Sequence, residues 1–541
     1  MSTSTPAAPA SPTGPGPGAP APGPAPARRR AGLWAALAGI ASAAAGFAVA
    51  ELVAAFVAPG SSPLFAAGAG VVDAVPAPLK DFAVETFGTA DKAVLLGTMA
   101  VVLAAGAALA GWLELRRPPV GSLLLAVVGA VAAVVAVVRP GASVAWALPS
   151  LVGVGIAVVL LRASIGTLRP ASTTSDGVVR ATGPDRRRFL LVTGLTVAAG
   201  VVALATSRAV SAGNRVVTAA RDALRLPAAS VTAPAVPAGA DLGVPGLAPY
   251  VTPNGDFYRI DTALRVPQVD PADWTLRISG RVDEPFELTF AELLDLPLVE
   301  HHLTLTCVSN GVGGDLVGNA LWLGYPVREL LERAGVQDGA DMVLSTSADG
   351  WTASTPLEVL QDADRECLLA VGMNGEPLPA EHGFPARLVV PGLYGYVSAT
   401  KWVTELKVTT FADDVAYWST RGWTERGPIK LASRIDTPRA NAGVEGEVTV
   451  AGVAWAQHTG IDAVEVRVDD GPWQAATLAD TVGPDTWRQW SYAWDSAGAG
   501  TGAHRLTVRA TDADGEVQTS DVASPAPDGA TGWHEVEVSV G

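Results

Sequence analysis

The chain has 541 residues, of which 49% are hydrophobic and 17% are charged, and its formal net charge is -16. The length indicates several domains, and a charged share below the usual value of about 25% indicates that part of the chain lies in a membrane. Two cysteines exclude a disulfide scaffold and any four-cysteine zinc or iron–sulfur site.

The charge is distributed unevenly along the chain. Residues 1–230 hold 18 basic and 9 acidic side chains, a net charge of +9, so residues 231–541 carry -25. Because an acidic surface repels polyanions, no nucleic-acid partner is expected. Residues 1–30 are rich in Pro, Ala and Gly, which predicts a disordered tail.

Five long apolar segments follow in residues 31–212, each near the roughly 20 residues that a helix needs to cross a bilayer. They lie at about 33–57, 93–112, 120–138, 144–161 and 189–210. All six histidines lie beyond residue 300, so these segments cannot hold a haem through paired histidines. The pattern predicts a five-helix transmembrane anchor, with the membrane as a partner.

Basic residues predict the orientation of this anchor. Arginines cluster at Arg28–Arg30, at Arg116 and Arg117, and at Arg186–Arg188. These clusters precede the first apolar segment, follow the second and precede the fifth, so all three lie on the same side of the membrane. Since basic loops stay in the cytoplasm, the N-terminus is expected there. An odd number of spans then places the chain beyond residue 212 outside the cytoplasm, as part of a multi-pass cell-membrane protein.

The fifth apolar segment begins with Arg186-Arg187-Arg188-Phe189-Leu190, which resembles a twin-arginine export signal. Ordinary anchoring by positive charge is the alternative interpretation. The twin-arginine route carries folded proteins, so it would predict that a cofactor is inserted before export.

The remaining chain divides by composition. Residues 213–249 are predicted to be a linker, because they include a long Pro-, Ala- and Gly-rich stretch. Residues 250–428 mix strand-like and helix-like patterns, which predicts a mixed α+β domain. Residues 429–541 alternate apolar and polar side chains between Gly, Asp and Pro turns, which predicts a small β-sandwich.

Cys307 ends a strand-like run and is followed by a glycine-rich loop. Its thiolate could act as a nucleophile or as a ligand for a soft metal, whereas a buried inert cysteine is the alternative. Cys367 has the pattern of a core position. A disulfide between the two cysteines is a third alternative.

A second dense motif spans residues 373–402. Arg387 and Lys401 bring positive charge into an acidic domain, and Ser398 and Thr400 add hydroxyl groups among glycine-rich turns. This combination predicts an anion site, with ordinary turns between strands as the alternative.

Several motifs resemble the sulfite oxidase family of molybdopterin-dependent oxidoreductases. His382-Gly-Phe-Pro-x-Arg387, followed by Val-Pro-Gly, Gly395 and Lys401-Trp402, resembles the family's molybdopterin-binding signature. Cys307 after Thr-Leu-Thr resembles the family's molybdenum-ligating cysteine. Asn254-Gly-Asp-Phe-Tyr258-Arg259 resembles a cofactor contact of its bacterial members, and residues 429–541 resemble its immunoglobulin-like domain, which often dimerises.

The resemblance implies one molybdenum–molybdopterin per chain, with Cys307 as the metal ligand, and no haem or iron–sulfur cluster. The residues implied to contact or line the cofactor are Asn254, Tyr258, Arg259, Ser347, His382, Arg387, Ser398, Thr400 and Lys401. A separate electron-transfer partner and a homodimer through the immunoglobulin-like domain are the further partners implied.

The implied reaction is two-electron oxygen-atom transfer on a small S-oxide, N-oxide or sulfite-like substrate. Sulfite oxidases follow their cysteine with Ala-Gly-Asn-Arg-Arg, whereas this chain has Val-Ser-Asn-Gly-Val, and Trp351 replaces a phenol. These departures argue against sulfite. The alternatives are a cofactor-free, membrane-anchored binding or scaffold protein and a redox protein with a Cys307–Cys367 pair.

Overall fold

A computed structural model describes residues 25–75, 86, 91–139, 142–169, 171–175, 178–182, 186–210, 213–263 and 266–541. The predicted disordered tail lies largely outside the described residues, because only 25–30 of it are described, and they are helical. The chain forms two compact units. The first holds residues up to Pro63, Ala93–Val134 and Trp146–Ser207, and Arg208–Gly541 belong to the second.

Helices dominate the N-terminal part. They are α1 (Ala25–Val57), α2 (Pro63–Ala74), α3 (Asp91–Arg116), α4 (Val120–Val137), α5 (Leu148–Leu168) and α6 (Arg186–Val210), with a hairpin of β1 (Ala171–Ser175) and β2 (Val178–Thr182) before α6. Within the described ranges, five segments are long and apolar enough to cross a membrane, at Ala31–Val57, Ala93–Arg116, Val120–Val137, Val144–Leu168 and Arg187–Thr206. The prediction of five apolar helices is confirmed.

Small residues let these helices approach closely. A side chain on Gly46 of α1 would collide with the carbonyl oxygen of Gly153 in α5, and one on Gly39 would collide with that of Ala107 in α3. Close backbone contact of this kind is typical of helices that pack without large side chains between them.

The segment predicted to be a linker is packed against the folded domains. It begins with α7 (Gly213–Ala223), whose Val217 is buried, and continues as an extended chain. Val231 forms a β-bridge with Val299, and the Leu242 amide donates a hydrogen bond of 2.7 Å to Oε1 of Gln489. Residues 213–249 are therefore an ordered part of the second unit and not a free spacer.

The mixed domain contains ten strands and four short helices. In chain order these are β3 (Thr275–Gly280), β4 (Phe286–Thr289), α8 (Phe290–Leu294), β5 (Val299–Thr306), β6 (Val317–Pro326), α9 (Val327–Ala334), β7 (Met342–Ser347), β8 (Thr352–Pro356), α10 (Leu357–Gln361), β9 (Leu368–Met373), β10 (Glu376–Pro377), β11 (Arg387–Val389), α11 (Gly395–Ser398) and β12 (Val403–Thr409). One sheet has the order β10-β9-β6-β5 with β11 also paired to β9, and the other has the order β4-β3-β12-β7-β8.

Local sequence explains the ends of these helices. Thr289 and Glu292 form a capping box at the start of α8, and Gly335, in the left-handed conformation at φ 66°, ends α9. The apolar face of α9, with Leu330 and Leu331, packs into the main core of the domain. The predicted mixed domain is confirmed.

The C-terminal domain consists of strands. They are β13 (Ala432–Thr437), β14 (Gly443–Val444), β15 (Glu447–Trp455), β16 (Ile461–Val468), β17 (Gln474–Ala475), β18 (Thr477–Leu478), β19 (Arg488–Asp495), β20 (Gly502–Asp512) and β21 (His534–Val540). Their two sheets have the orders β13-β15-β19-β18 and β14-β21-β20-β16-β17. Both contribute to one hydrophobic core around Trp490 and Val508, so the predicted all-β domain is confirmed.

Candidate functional site

Cys307 directly follows β5 and is held by its own loop. Its amide donates to the carbonyl of Leu316 at 2.9 Å, and its Sγ accepts a hydrogen bond from the Ser309 amide at 3.4 Å. Burial raises the pKa of this thiol, and the Ser309 hydrogen bonds and the charge of Lys401 act in the opposite direction. The thiol is therefore a buried group whose ionised form would be stabilised by a bound cation.

The other cysteine has a different environment. Cys307 and Cys367 are both free thiols, and Sγ of Cys367 donates to the carbonyl of Val359 at 3.3 Å inside the core. Burial raises the pKa of Cys367. The predicted core role of Cys367 agrees with this position, and the alternative of a disulfide pair finds no support in it.

The strand that carries Cys307 is an edge strand of its sheet, and the C-terminal domain satisfies its free edge. The Thr304 amide donates to the carbonyl of Asp485 at 2.9 Å. Nε2 of Gln457 donates to the Thr304 carbonyl and to Oγ1 of Thr306, both at 2.9 Å. The Trp487 amide donates to Oγ1 of Thr304 at 2.8 Å. The end of β5 is thus fixed by both domains of the second unit.

A second group of contacts continues along the same edge. The carboxylate of Asp485 lies between two imidazoles, at 2.8 Å from Nε2 of His301 and 2.9 Å from Nδ1 of His458. These hydrogen bonds hold the pKa of Asp485 below its ordinary value although burial acts against them. The His–Asp–His cluster links the start of β5 to the C-terminal domain.

Arg387, the first residue of β11, is a buried cation. Its guanidinium donates to three backbone carbonyls, those of Leu388 at 3.3 Å, His382 at 3.2 Å and Ala399 at 3.5 Å, and lies 5.2 Å from the ring of Trp322. Burial lowers its pKa to about 10. Among the described residues no carboxylate pairs with it, so this site favours a bound anion.

Lys401 and Arg259 share one carboxylate. Nζ of Lys401 donates to Oδ2 of Asp261 at 3.2 Å and to the carbonyl of Glu381 at 3.1 Å, and Arg259 pairs with the same Oδ2 at 2.9 Å. Burial lowers the pKa of Lys401 to about 8 although Asp261 opposes that shift. Two cations thus contact one carboxylate, whereas Arg387 pairs with no carboxylate among the described residues.

His382 is buried beside this group. Its Nε2 lies 3.2 Å from the carbonyl of Asn254, and its Nδ1 is buried without a hydrogen-bond partner in the described structure. Burial and the charges of Arg387 and Lys401 lower its pKa to about 3, so the imidazole is neutral at physiological pH. An orphaned ring nitrogen next to buried cations is a position where a polar ligand could complete the hydrogen bonding.

The site residues predicted from the sequence separate into two groups. Tyr258, Cys307, Ser347, Arg387 and Lys401 line one cavity of about 900 Å³, a volume that includes its open part. Tyr258 is stacked on Phe257, and burial raises the pKa of its phenol.

The hydroxyls of Ser398 and Thr400 and the amide of Asn254 are used within the protein. Oγ of Ser398 donates to the carbonyls of Leu393 and Tyr394, and Oγ1 of Thr400 lies 2.6 Å from Oγ of Ser345. Nδ2 of Asn254 donates to the carbonyl of Met373. These side chains, like those of Arg259 and His382, are not part of the cavity lining.

Sequence reasoning missed part of the lining. Asp261, Asp349, Tyr396, Trp418 and Trp423 line the same cavity, together with Trp351. The aromatic run from Tyr417 to Trp423 was a visible signal, because it places three large rings within seven residues. A buried thiol and a buried guanidinium that pairs with no carboxylate among the described residues line the same cavity, and together they fit an anionic cofactor that carries a soft metal.

Comparisons with known proteins agree with this chemistry. The family model described as "Oxidoreductase molybdopterin binding domain" matches residues 263–418, and the one described as "Bacterial Ig domain" matches residues 432–508. The human protein "Sulfite oxidase, mitochondrial" is 31% identical over 274 residues, which cover 42% of this chain and 49% of that protein. The chain thus spans about half the length of that relative.

Two further similarities come from bacteria. "Uncharacterized oxidoreductase YuiH" of Bacillus subtilis (strain 168) is 35% identical over 158 residues, which cover 29% of this chain and 76% of that protein. The crystal structure of the sulfane dehydrogenase SoxCD from Paracoccus pantotrophus aligns with a TM-score of 0.46 and 26% identity, over 53% of this chain and 81% of that chain.

Proposed function

The chain belongs to the sulfite oxidase family of molybdopterin-dependent oxidoreductases, and on this premise we propose that it is a membrane-anchored molybdenum enzyme. Its reaction is a two-electron oxygen-atom transfer on a small S-oxide, N-oxide or sulfite-like substrate outside the cytoplasm. The observation that carries the proposal is the cavity lined by both the Cys307 thiol and the cation Arg387, for which the described residues provide no carboxylate.

The residues of the cavity fit one molybdopterin per chain. Cys307 is the metal ligand, because a thiolate suits molybdenum and this thiol has no disulfide partner. Arg387 and Lys401 would hold the pterin phosphate, and Arg259 would help to neutralise the Asp261 carboxylate that Lys401 also contacts. When bound, the cofactor supplies a metal centre that exchanges two electrons and one oxygen atom with the substrate.

The protein positions the residues that would hold the cofactor and excludes water from their surroundings. Hydrogen bonds from the C-terminal domain hold the end of β5, and thereby the backbone that carries Cys307. The carbonyls of His382 and Ala399 orient the Arg387 guanidinium before an anion arrives, so little reorganisation accompanies binding. Asn254, Ser398 and Thr400 support the cofactor site indirectly, through the loops that their hydrogen bonds join.

Reduction of an S-oxide consumes two electrons and two protons and releases the thioether and water. Oxidation of sulfite consumes water and releases sulfate, two protons and two electrons. In either direction the electrons pass to or from a separate redox partner. The five apolar helices anchor the protein with its N-terminus in the cytoplasm, and the C-terminal domain forms a homodimer contact.

A cofactor-free scaffold protein explains the site less well. Arg387 is buried, and its described partners are three neutral carbonyls and an aromatic ring. Keeping a cation in such a place costs stability unless an anion binds there.

Turnover tests the proposal. The full chain is purified in detergent from molybdenum-replete cells. Reduction of S-oxides, N-oxides and nitrate is assayed with reduced viologen as the electron donor, and oxidation of sulfite is assayed with ferricyanide as the electron acceptor. We expect turnover of at least one substrate, its loss in Cys307→Ser and its retention in Cys367→Ala. Protein that holds molybdenum but turns over none of these substrates would contradict the proposal.

A further inference from the structure

Trp351, Tyr396, Trp418 and Trp423 are among the aromatic side chains that line the cavity and that the proposed cofactor contacts do not include. The ring of Trp423 lies 5.7 Å from that of Tyr396 and 6.0 Å from that of Trp418, at interplanar angles of 53° and 72°. Three rings at steep angles form a corner, here called the aromatic corner. Such a corner suits an apolar group or a cation.

Hydrogen bonds hold the Tyr396 ring and the backbone of Trp423 and Trp351. The Tyr396 hydroxyl donates to the carbonyl of Thr424 at 2.7 Å, and the Trp423 amide donates to the carbonyl of Trp418 at 3.3 Å. The backbone amide of Trp351 donates to Oδ1 of Asp349 at 3.1 Å, and both residues line the cavity. The aromatic corner is therefore preorganised, and binding there costs little ordering.

Among the residues that the structure describes, the charged lining of the cavity comprises two cations, Arg387 and Lys401, and two carboxylates, Asp261 and Asp349. Lys401 is paired with Asp261, and the phosphate of the proposed cofactor would occupy both Lys401 and Arg387. An anionic substrate would then meet aromatic faces and Asp349 after losing its water shell. Without a cationic partner, that desolvation opposes binding.

We propose that the aromatic corner makes the site specific for an uncharged or cationic organic S-oxide or N-oxide and that it rejects oxyanions such as sulfite and nitrate. This inference rests on the proposed function and narrows its substrate class. In the reduction the S–O or N–O bond breaks, and two molecules of an external one-electron donor supply the two electrons that reduce sulfur or nitrogen. The oxygen takes up two protons and leaves as water.

Kinetics of the full chain in detergent, loaded with cofactor, test this specificity. We expect kcat/KM for methyl phenyl sulfoxide or N,N-dimethylaniline N-oxide, with reduced methyl viologen as donor, to exceed the values for nitrate and for sulfite oxidation by about a hundredfold. In Asp349→Lys, kcat/KM for sulfite oxidation should rise relative to kcat/KM for sulfoxide reduction, because a cation then faces the substrate.

The aromatic corner itself is tested at Trp423. In Trp423→Ala the KM for the organic oxide should rise about tenfold while kcat changes by less than about threefold, and Trp423→Phe should restore most of the affinity. Trp473→Ala is the matched control, because Trp473 packs against Trp533 in the C-terminal domain and should leave KM unchanged. Molybdenum content equal to that of the wild type shows that each variant is folded.

The outcomes separate the two proposals. Preferred turnover of sulfite or nitrate by the loaded wild type would overturn the inference and leave the proposed function intact. An unchanged KM in folded Trp423→Ala would also overturn it. No turnover of any substrate by protein that holds molybdenum would overturn both.

Discussion

Arg387 shows at the level of one residue how the site is prepared for an anion. The residue is 4% exposed, and three carbonyls hold its guanidinium, which satisfies donors but does not neutralise the charge. Lys401 is also buried, and it shares the carboxylate of Asp261 with Arg259. A phosphate group would complete the charge balance that these side chains lack.

The neutral state of His382 predicts a pH dependence of stability. Its pKa is lowered to about 3 in the folded chain, whereas the unfolded chain takes up the proton near the usual value of about 6.5. The unfolded state therefore binds more protons between these values, so stability falls as the pH decreases through that window. From pH 7.5 to 5 this residue should account for about 2 kcal/mol of lost unfolding free energy.

Urea unfolding followed by tryptophan fluorescence checks this value. In His382→Gln the difference in unfolding free energy between pH 7.5 and pH 5 should shrink relative to the wild type. His504→Gln is a control of opposite sign, because hydrogen bonding to Asp469 raises the pKa of His504, and its stabilisation is present at low pH and lost as the pH rises. An equal pH dependence in His382→Gln and the wild type would exclude a buried neutral imidazole.

The sequence predicted the residue types at the site better than the directions of their side chains. Cys307, Arg387 and Lys401 were predicted from dense motifs, and all three line the cavity. Ser398 and Thr400 come from the same motif, but their hydroxyls bond to groups of their own surroundings. Which way a short hydroxyl side chain turns depends on the carbonyls near it in space, and those are not visible in sequence.

At the level of elements, β5 connects the site to the C-terminal domain. It is an edge strand, and its outer side is hydrogen-bonded to the loops around Gln457 and Asp485. An edge strand left open to solvent would expose unpaired backbone groups next to Cys307, the proposed metal ligand. The C-terminal domain therefore stabilises the position of Cys307 in addition to any role in assembly.

Removing one of these contacts should loosen the strand. Gln457→Ala deletes the hydrogen bonds to the Thr304 carbonyl and to Oγ1 of Thr306, which should lower the unfolding free energy by about 1–3 kcal/mol. Hydrogen exchange measured by mass spectrometry should show faster exchange in the peptide that covers residues 304–309. Gln474→Ala, at an exposed position of β17, is the control and should leave that peptide unchanged.

Element-level prediction succeeded where patterns are local and failed where packing decides. The apolar helices and the alternating C-terminal strands follow from composition and period. The segment 213–249 has the composition of a spacer, yet Val231 forms a β-bridge with Val299 and the Leu242 amide donates a hydrogen bond to Gln489. Both contacts join positions that are far apart in sequence. The aromatic corner was not predicted for the same reason, since Trp418 and Cys307 line one cavity only in the folded chain.

At the level of the whole molecule, the two parts of the chain differ in charge, with +9 over residues 1–230 and -25 over the remainder. The basic part contains the five helices that are apolar enough to cross a membrane. The acidic part contains the cavity and the C-terminal domain. This division fits an anchor whose arginines orient it and a separate outer part that carries the chemistry.

The route of export predicts a difference between arginine and lysine at the start of α6. Replacing Arg186 and Arg187 by lysine keeps the positive charge, so anchoring by charge alone would persist, whereas a twin-arginine receptor would no longer bind. In bacteria with that translocase we expect the double variant to lose protease accessibility of the C-terminal domain in spheroplasts. Unchanged accessibility would show that positive charge alone directs insertion.

The molybdenum content of the purified full chain tests the central claim most directly. Mass spectrometry of the metal should find about one molybdenum per chain in the wild type and in Cys367→Ala, and Cys307→Ser should lose most of it. Of the two cysteines, only Cys307 lines the cavity with Arg387 and Lys401. Wild-type protein without molybdenum from replete cells, or an equal molybdenum content in folded Cys307→Ser, would contradict the account.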